Sequence, residues 1–192
     1  VLNRYYGVFE SGKIKVRGIE AVRRDTPPFI RKAQMDMIRV LAKASNSEAF
    51  MKRISESVEV LRGYVEKLRK KDVDVQDLII SKQLSMHPNR YAHDVFQAIA
   101  ARQLMKEGIE VSGGQMVRYL ITDAENKRPS SRVKIAELVN DNTRFDTEKY
   151  MDMLIMAGAN ILSPFGYTEE ELKDEIYYGE KQTVLTPTPT IT

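Results

Sequence analysis

The sequence contains no cysteine in its 192 residues, so disulfides, zinc–thiolate sites and a cysteine nucleophile are all excluded. Long apolar runs are missing as well, since none approaches the roughly 18 residues that a membrane span requires. The first residues also lack the basic, apolar and small-residue pattern of a secretion signal. With 42% hydrophobic and 30% charged residues, the composition is typical of a soluble globular protein. We therefore expect a cytoplasmic location and no membrane partner.

Residues typical of catalytic sites are also scarce. The two histidines, His87 and His93, lack the spacing of a zinc-binding helix, and the Gly-rich, Walker A and nucleophile-elbow motifs are absent. Paired carboxylates such as Asp72 and Asp74 lie in polar stretches, which is typical of solvated surface charge or helix caps. The sequence thus predicts no metal site and disfavours a self-contained enzyme.

Charge is unevenly distributed along the chain. The overall net charge is only +3, but residues 1–43 carry ten lysines and arginines against four acids. Residues 168–180 have the opposite bias, with six acids and one lysine. A basic leading segment favours a polyanionic partner. From charge alone, an ordinary solvated lysine-rich face remains an equally good interpretation.

The first 26 residues predict a β-hairpin. Alternating apolar residues flank the turn Glu10-Ser11-Gly12, and Pro27 and Pro28 end the second strand. Because an isolated hairpin is only marginally stable in water, this one needs a surface to pack against.

Helical periodicity dominates the rest of the chain. Ser45 with Glu48 and Thr168 with Glu171 match the capping box that opens helices. We predict five helices. The first begins near Phe29, the second runs from Ser45 to about Lys70, and the third runs from about Asp94 to Glu107. The fourth runs from Asp146 or Thr147 to just before Pro164, and the fifth follows Thr168. Residues 109–122 predict two short strands around a Gly-containing turn, and residues 123–132 an exposed loop. The expected fold class is mainly α with small β elements (α+β).

Several side chains suit contact with nucleic acid backbone, which needs cations and short hydrogen-bonding groups. Three arginines lie at and just after the second hairpin strand, and a lysine with polar neighbours precedes a predicted helix. These residues are Arg17, Arg23, Arg24, Lys82, Gln83, Ser85 and Asn89.

Four stretches resemble, in order, the end of the palm and the thumb of archaeal family B DNA polymerases. They are NRYYGVFESGKIKVRGIEAVRRDTPPF (3–29), LIISKQLSMHPNRY (78–91), EGIEVSGGQMVRYLI (107–121) and RFDTEKYMDMLIMAGANILSPFGY (144–167). The resemblance implies a helical thumb at residues 27–176, an N-terminal hairpin at 1–26 that completes the palm sheet of a partner chain, and a flexible tail at 177–192.

In that family the metal-binding aspartates of the palm lie upstream of the first stretch, so this chain lacks them. The resemblance therefore implies the small subunit of a split polymerase, inactive alone and without a cofactor. Its partners would be primer–template DNA and a large subunit with exonuclease, palm and fingers, which binds Mg²⁺. A recombinant thumb fragment is the competing explanation for the chain. An independent, non-catalytic double-stranded DNA-binding protein is the alternative function.

The family resemblance also implies roles for individual residues of the hairpin. Tyr5 matches the tyrosine of a Lys-x-Tyr pair that reaches the minor groove at the primer terminus, but Asn3 replaces the lysine. Asn3 can still hydrogen-bond a groove acceptor without supplying charge. Arg17 and Arg23 match arginines that contact the duplex backbone.

In the predicted thumb loop, Gln83 and Ser85 match a glutamine and a threonine that grip phosphates. Two other interpretations stay open: Tyr5 as a hydrophobic plug, and Arg24 in a salt bridge with Asp25 or another acid. The predicted DNA-binding residues are Asn3, Tyr5, Arg17, Arg23, Arg24, Lys82, Gln83 and Ser85.

The C-terminal tail partly matches a sliding-clamp-binding peptide. Gln182 and Leu185 fit, but Thr188 and Pro189 stand where the family has aromatic residues. The tail therefore predicts a sliding clamp as a further partner, bound without the aromatic anchors that usually dominate such pockets.

Overall fold

The computed structural model describes residues 4–178. Asn3, Gln182 and Leu185 lie outside them, so their predicted roles have no structural counterpart. The helices are α1 (Pro28–Leu41), α2 (Ser47–Lys70), α3 (Phe96–Lys106), α4 (Thr147–Leu162) and α5 (Glu169–Tyr178). The strands are β1 (Tyr5–Val8), β2 (Ile14–Arg17), β3 (Ile80–Gln83), β4 (Met116–Ile121) and β5 (Val133–Ile135). The prediction of a mainly helical fold with small β elements is confirmed.

The N-terminal hairpin forms as predicted. β1 and β2 pair antiparallel, with Tyr5 opposite Arg17. The turn closes through a hydrogen bond from the Phe9 N–H to the Lys13 carbonyl at 2.9 Å. Gly12 has φ of +77°, a conformation that other residues rarely adopt. The hairpin also finds a surface within its own chain, because the Tyr6 hydroxyl donates to the Ile161 carbonyl of α4 at 2.9 Å.

The main core lies between α1, α2 and α4. The apolar stripe of α2 faces it, with Val58, Leu61 and Leu68 at most 1% exposed. Gly158 of α4 allows a close approach to α2, since a Cβ there would lie only 2.5 Å from Leu61 Cδ2. Size at position 158 is thus limited by packing between the two helices.

Helix starts follow the sequence signals with one correction. The N-cap of α2 is Asn46, whose Oδ1 accepts from the Ala49 N–H at 2.8 Å, so the predicted box from Ser45 to Glu48 is wrong by one residue. Asparagine caps helices as well as serine does, and neighbouring cap residues cannot be ranked from sequence. The Thr168–Glu171 box is confirmed by reciprocal bonds of 2.7 and 3.1 Å.

The second β element differs from the prediction. Of residues 109–122, only β4 is a strand, and it pairs antiparallel with β3 on one side and β5 on the other. The expected turn glycines instead meet a distant segment, because a Cβ on Gly113 would lie 3.1 Å from Met86 Cα. Local alternation predicts a strand but cannot identify partners so far away in sequence. The polar loop at 123–132 connects β4 to β5.

Among residues 4–178, no helix has both the length and the apolar character needed to cross a membrane.

Candidate nucleic-acid interface

A cluster of three charged residues joins the N-terminal segment to the three-stranded sheet. Arg23 donates from Nε and Nη2 to the two carboxylate oxygens of Asp25, both at 3.0 Å. Lys82 Nζ on β3 donates to Asp25 Oδ2 at 2.6 Å, across 57 positions of sequence. We call this cluster of Arg23, Asp25 and Lys82 the Asp25 link. It brings two predicted DNA-binding residues into contact with one carboxylate.

The electrostatics of the Asp25 link favour the ionised form of the acid. The hydrogen bonds from Arg23, acting against desolvation and together with Lys82, lower the pKa of Asp25 to about 2. The Asp25 side chain is 22% exposed, whereas those of Arg23 and Lys82 are 43% and 39% exposed. Both cationic side chains are therefore partly open to solvent.

A buried polar network fixes the turn that precedes Arg23. Glu20 is 6% exposed and accepts from Gln34 Nε2 at 2.8 Å and from Asn160 Nδ2 at 3.0 Å. Gln34 also donates to the Ala157 carbonyl at 2.8 Å and accepts from the Ala21 N–H at 2.5 Å. Since these partners lie on α1 and α4, the start of the basic segment is held against the helical core.

Arg24 behaves differently from its neighbour. The salt bridge with Asp25 that we considered for Arg24 is formed by Arg23 instead. Arg24 is exposed, and within residues 4–178 it makes no ion pair. Both arginines stay predicted DNA-binding residues, one held by a carboxylate and the other exposed.

Gln83, predicted in the thumb loop, is the last residue of β3, and hydrogen bonds hold both it and Ser85. Gln83 Nε2 donates to the Gly114 carbonyl at 2.8 Å. The Ser85 N–H donates to the Tyr91 hydroxyl at 2.8 Å, and the Ser85 Oγ lies 3.1 Å from the same oxygen. Hydrogen bonding from Ser85 lowers the pKa of Tyr91. Tyr91 thus positions Ser85, a role that sequence reasoning missed although the residue ends the second resembling stretch.

On the hairpin, Tyr5 and Arg17 are paired and exposed. Tyr5 is 40% exposed, and Lys15 Nζ lies 5.7 Å from its ring centroid. Desolvation acts to raise the pKa of Tyr5, but Arg17 and Lys15 outweigh it and the net change is downward. The plug considered for Tyr5 fits the next residue better, because Tyr6 is the one that packs against the core and bonds to α4.

Comparison with known proteins identifies the family. The model of DNA polymerase family B matches residues 3–165. This chain belongs to DNA polymerase family B. A DNA polymerase of Thermococcus litoralis is 28% identical over 183 residues, which cover 95% of this chain and 10% of that protein. DNA polymerase 2 of Aeropyrum pernix is 31% identical over 171 residues, covering 88% of this chain and 20% of that protein.

A solved structure supports the same family. The family B DNA polymerase from the hyperthermophilic archaeon Pyrobaculum calidifontis matches with a TM-score of 0.68 and 25% identity, covering 86% of this chain and 21% of that chain. This family B chain therefore spans about a tenth to a fifth of the length of the polymerases it resembles. Its assignment to the palm end and thumb stays a prediction.

The sheet of this family B chain adds two basic residues to the candidate interface. Arg118 on β4 lies directly opposite Ser81 on β3, and Lys134 on β5 lies opposite Leu120. Strand alternation places Ser81, Gln83, Arg118 and Lys134 on one face, which we call the outer sheet face. Within residues 4–178 neither Arg118 nor Lys134 forms an ion pair. Sequence reasoning missed both because their partner strands were unknown, although the alternation of Met-Val-Arg-Tyr in β4 was visible.

The described residues offer no metal centre. Within residues 4–178, no group of three or more histidine, aspartate or glutamate side chains could hold a metal ion. The Mg²⁺ expected in the large subunit stays a prediction.

Proposed function

We propose that this family B chain is the small subunit of a split DNA polymerase and holds primer–template duplex with its thumb, while a large polypeptide carries the catalytic aspartates. The observation that carries the proposal is the Asp25 link. It connects the basic N-terminal segment to β3, which continues into Gln83 and Ser85. Family membership and the small share of each relative that the chain covers add support.

The proposed grip acts mainly on the phosphate backbone. Arg23 and Lys82 supply charge, and each neutralised phosphate releases counterions, so affinity falls steeply with salt. Gln83 and Ser85 supply hydrogen bonds that fix register without reading sequence. Tyr5 and Asn3 approach the minor groove at the primer terminus, as the family pattern implies.

The contribution of this chain to catalysis is positioning. Phosphoryl transfer uses two metal ions and an oriented nucleophile, both in the palm of the partner. A subunit that keeps the duplex behind the active site holds the primer terminus in a reactive geometry. The chain by itself is expected to be inactive and to add processivity to the large subunit.

The proposed docking surface for the large subunit is the outer side of the hairpin. Within residues 4–178 the hairpin is a two-stranded sheet with an unpaired outer edge on each strand. Val8 and Phe9 are 42% and 51% exposed at its turn. A palm strand can pair with such an edge and cover these side chains. Sliding-clamp binding by Gln182 and Leu185 stays a separate prediction.

The test has two parts. Duplex binding by the full chain should be insensitive to sequence and should weaken with added NaCl. In size-exclusion chromatography, the chain should elute together with a large polypeptide that carries the palm aspartates. Duplex binding without co-elution would favour the independent DNA-binding protein, and absence of duplex binding would contradict the proposed grip.

A further inference from the structure

An acid lies at the centre of the cationic surface that is proposed to meet DNA. Asp25 contacts Arg23 and Lys82 and follows Arg24 in the sequence, and its carboxylate would repel a nearby phosphate. On net charge alone, Asp25 should weaken duplex binding.

The geometry gives the acid a different role. Arg23 Nη2 at 3.0 Å and Lys82 Nζ at 2.6 Å contact the same oxygen, Asp25 Oδ2. Two cations so close repel each other unless an anion lies between them. Without the carboxylate, both long side chains would separate and regain their rotamer freedom.

The elements that carry the two cations come from distant parts of the chain. Arg23 follows a turn fixed by the buried Glu20–Gln34 bond of 2.8 Å, and Lys82 lies on a strand of the three-stranded sheet. Since the side chains of Arg23 and Lys82 are partly exposed, a phosphate can bind from outside without displacing Asp25. The two side chains then lose their conformational entropy on folding, so DNA binding does not have to order them.

We infer that Asp25 is a positioning residue that pre-organises Arg23 and Lys82 as one two-cation site for the phosphate backbone. The inference rests on the proposed function, namely that this chain holds duplex DNA. Net charge alone predicts that removing this acid strengthens DNA binding. The inference predicts the opposite, that removing it weakens DNA binding.

The first test compares two neutralised acids in the full chain. Binding to a fluorescently labelled duplex is measured by anisotropy over a series of NaCl concentrations. Asp25→Asn should weaken binding roughly three- to tenfold, since coupled charged neighbours interact on that scale. Asp77→Asn is the matched control, because Asp77 is exposed and forms no ion pair within residues 4–178. It changes net charge equally and should leave binding unchanged or slightly tighter. Asp25→Glu keeps the charge and should retain more affinity than Asp25→Asn.

The second test separates positioning from a general structural effect. In a background of Arg23→Gln with Lys82→Gln, Asp25→Asn should cause no further loss of affinity, because the pair it positions is gone. In an Arg24→Gln background the full loss should remain. An equal loss in both backgrounds would mean that Asp25 acts on the whole fold, which overturns the inference.

The outcomes distinguish the inference from the function on which it rests. If the wild-type chain binds duplex and Asp25→Asn binds as tightly or more tightly, the inference fails while the proposed grip stands. If Asp25→Asn is too unstable to measure, the duplex affinities of Asp25→Glu and wild type are compared instead. Tighter binding by Asp25→Glu than by wild type overturns the inference. If the wild-type chain does not bind duplex at all, the proposed function itself fails.

Discussion

The hairpin and the three-stranded sheet are attached to the helical core by similar groups in different surroundings. In each case a tyrosine hydroxyl meets main-chain atoms. Tyr150 donates to the Leu78 carbonyl at 2.8 Å and accepts from the Ile121 N–H at 3.0 Å, and all three groups are buried. Tyr6 makes one bond, to Ile161, in a partly buried position. A cleft of about 310 Å³ also lies between β1 and the residues around Leu41 and Phe50.

This difference separates a self-sufficient element from an incomplete one. The inner face of the sheet is buried except at Lys82, whose side chain is 39% exposed. The hairpin leaves Tyr5, Val8 and Phe9 at least 40% exposed. Exposed aromatic and aliphatic side chains beside an unpaired strand edge are typical of a surface that another element covers. Within residues 4–178, the hairpin is therefore a surface suited to meet a partner.

The largest effect is expected at the attachment of the sheet. Tyr150→Phe removes both hydrogen bonds and leaves a buried carbonyl and a buried N–H without a partner. The free energy of unfolding should fall by about 2–4 kcal/mol, the usual cost of such unsatisfied groups. Urea unfolding followed by circular dichroism measures it. A loss below the one seen for Tyr6→Phe would contradict the proposed difference between the two elements.

The next effect concerns partner binding through the hairpin. Phe9→Ser should leave stability within about 0.5 kcal/mol of wild type, because the side chain is already exposed. It should weaken binding to the large polypeptide by about tenfold or more, since exposed aromatics often anchor interfaces.

A matched control for Phe9→Ser is Ile109→Ser, an exposed apolar residue away from the hairpin. Isothermal titration with the large polypeptide should detect no change for this variant. Equal weakening by both variants would argue against docking through the hairpin.

A smaller effect is expected at the attachment of the hairpin. Burial raises the pKa of Tyr6 to about 12, in keeping with a neutral hydroxyl that donates to α4. Tyr6→Phe should lower the free energy of unfolding by about 1 kcal/mol, because water reaches part of the vacated site. Hydrogen exchange should become faster in β1 and β2 while β4 stays protected. Unchanged exchange in the hairpin would mean that other contacts hold it.

Much of this architecture follows from local sequence patterns. The hairpin and all five helices were predictable because their signals, a Gly-containing turn and a 3.6-residue period, lie within each element. The pairing of β4 with β3 and β5 was not predictable, because no local sequence pattern identifies the strand with which another strand pairs. The Asp25 link was missed for the same reason: Asp25 and Lys82 are 57 positions apart. The choice of Arg23 over Arg24 as the partner of Asp25 depends on a turn fixed by Gln34.

The smallest effect on stability is expected at the Asp25 link, which joins the N-terminal segment to the three-stranded sheet. The pKa of Asp25 is lowered from 3.8 to about 2, so its contribution to stability is complete above pH 4 and lost as the pH falls towards 2. Because Arg23 and Lys82 are partly exposed, we expect this contribution to be about 1 kcal/mol or less. Acid unfolding of wild type and Asp25→Asn should show a steeper loss for wild type between pH 4 and 2. Parallel curves would contradict the assigned ion pairs.

The central claim is that this family B chain supplies the duplex-holding part of a polymerase whose catalytic centre lies in another polypeptide. The direct measurement is primer extension by a large polypeptide containing the palm aspartates, with and without this chain, on a primed template with a trap for free enzyme. We expect this chain alone to be inactive, and we expect longer products per binding event when it is added to the large polypeptide. We also expect a weaker gain with the Arg23→Gln, Lys82→Gln variant. Product lengths that do not change on addition of this chain would contradict the central claim.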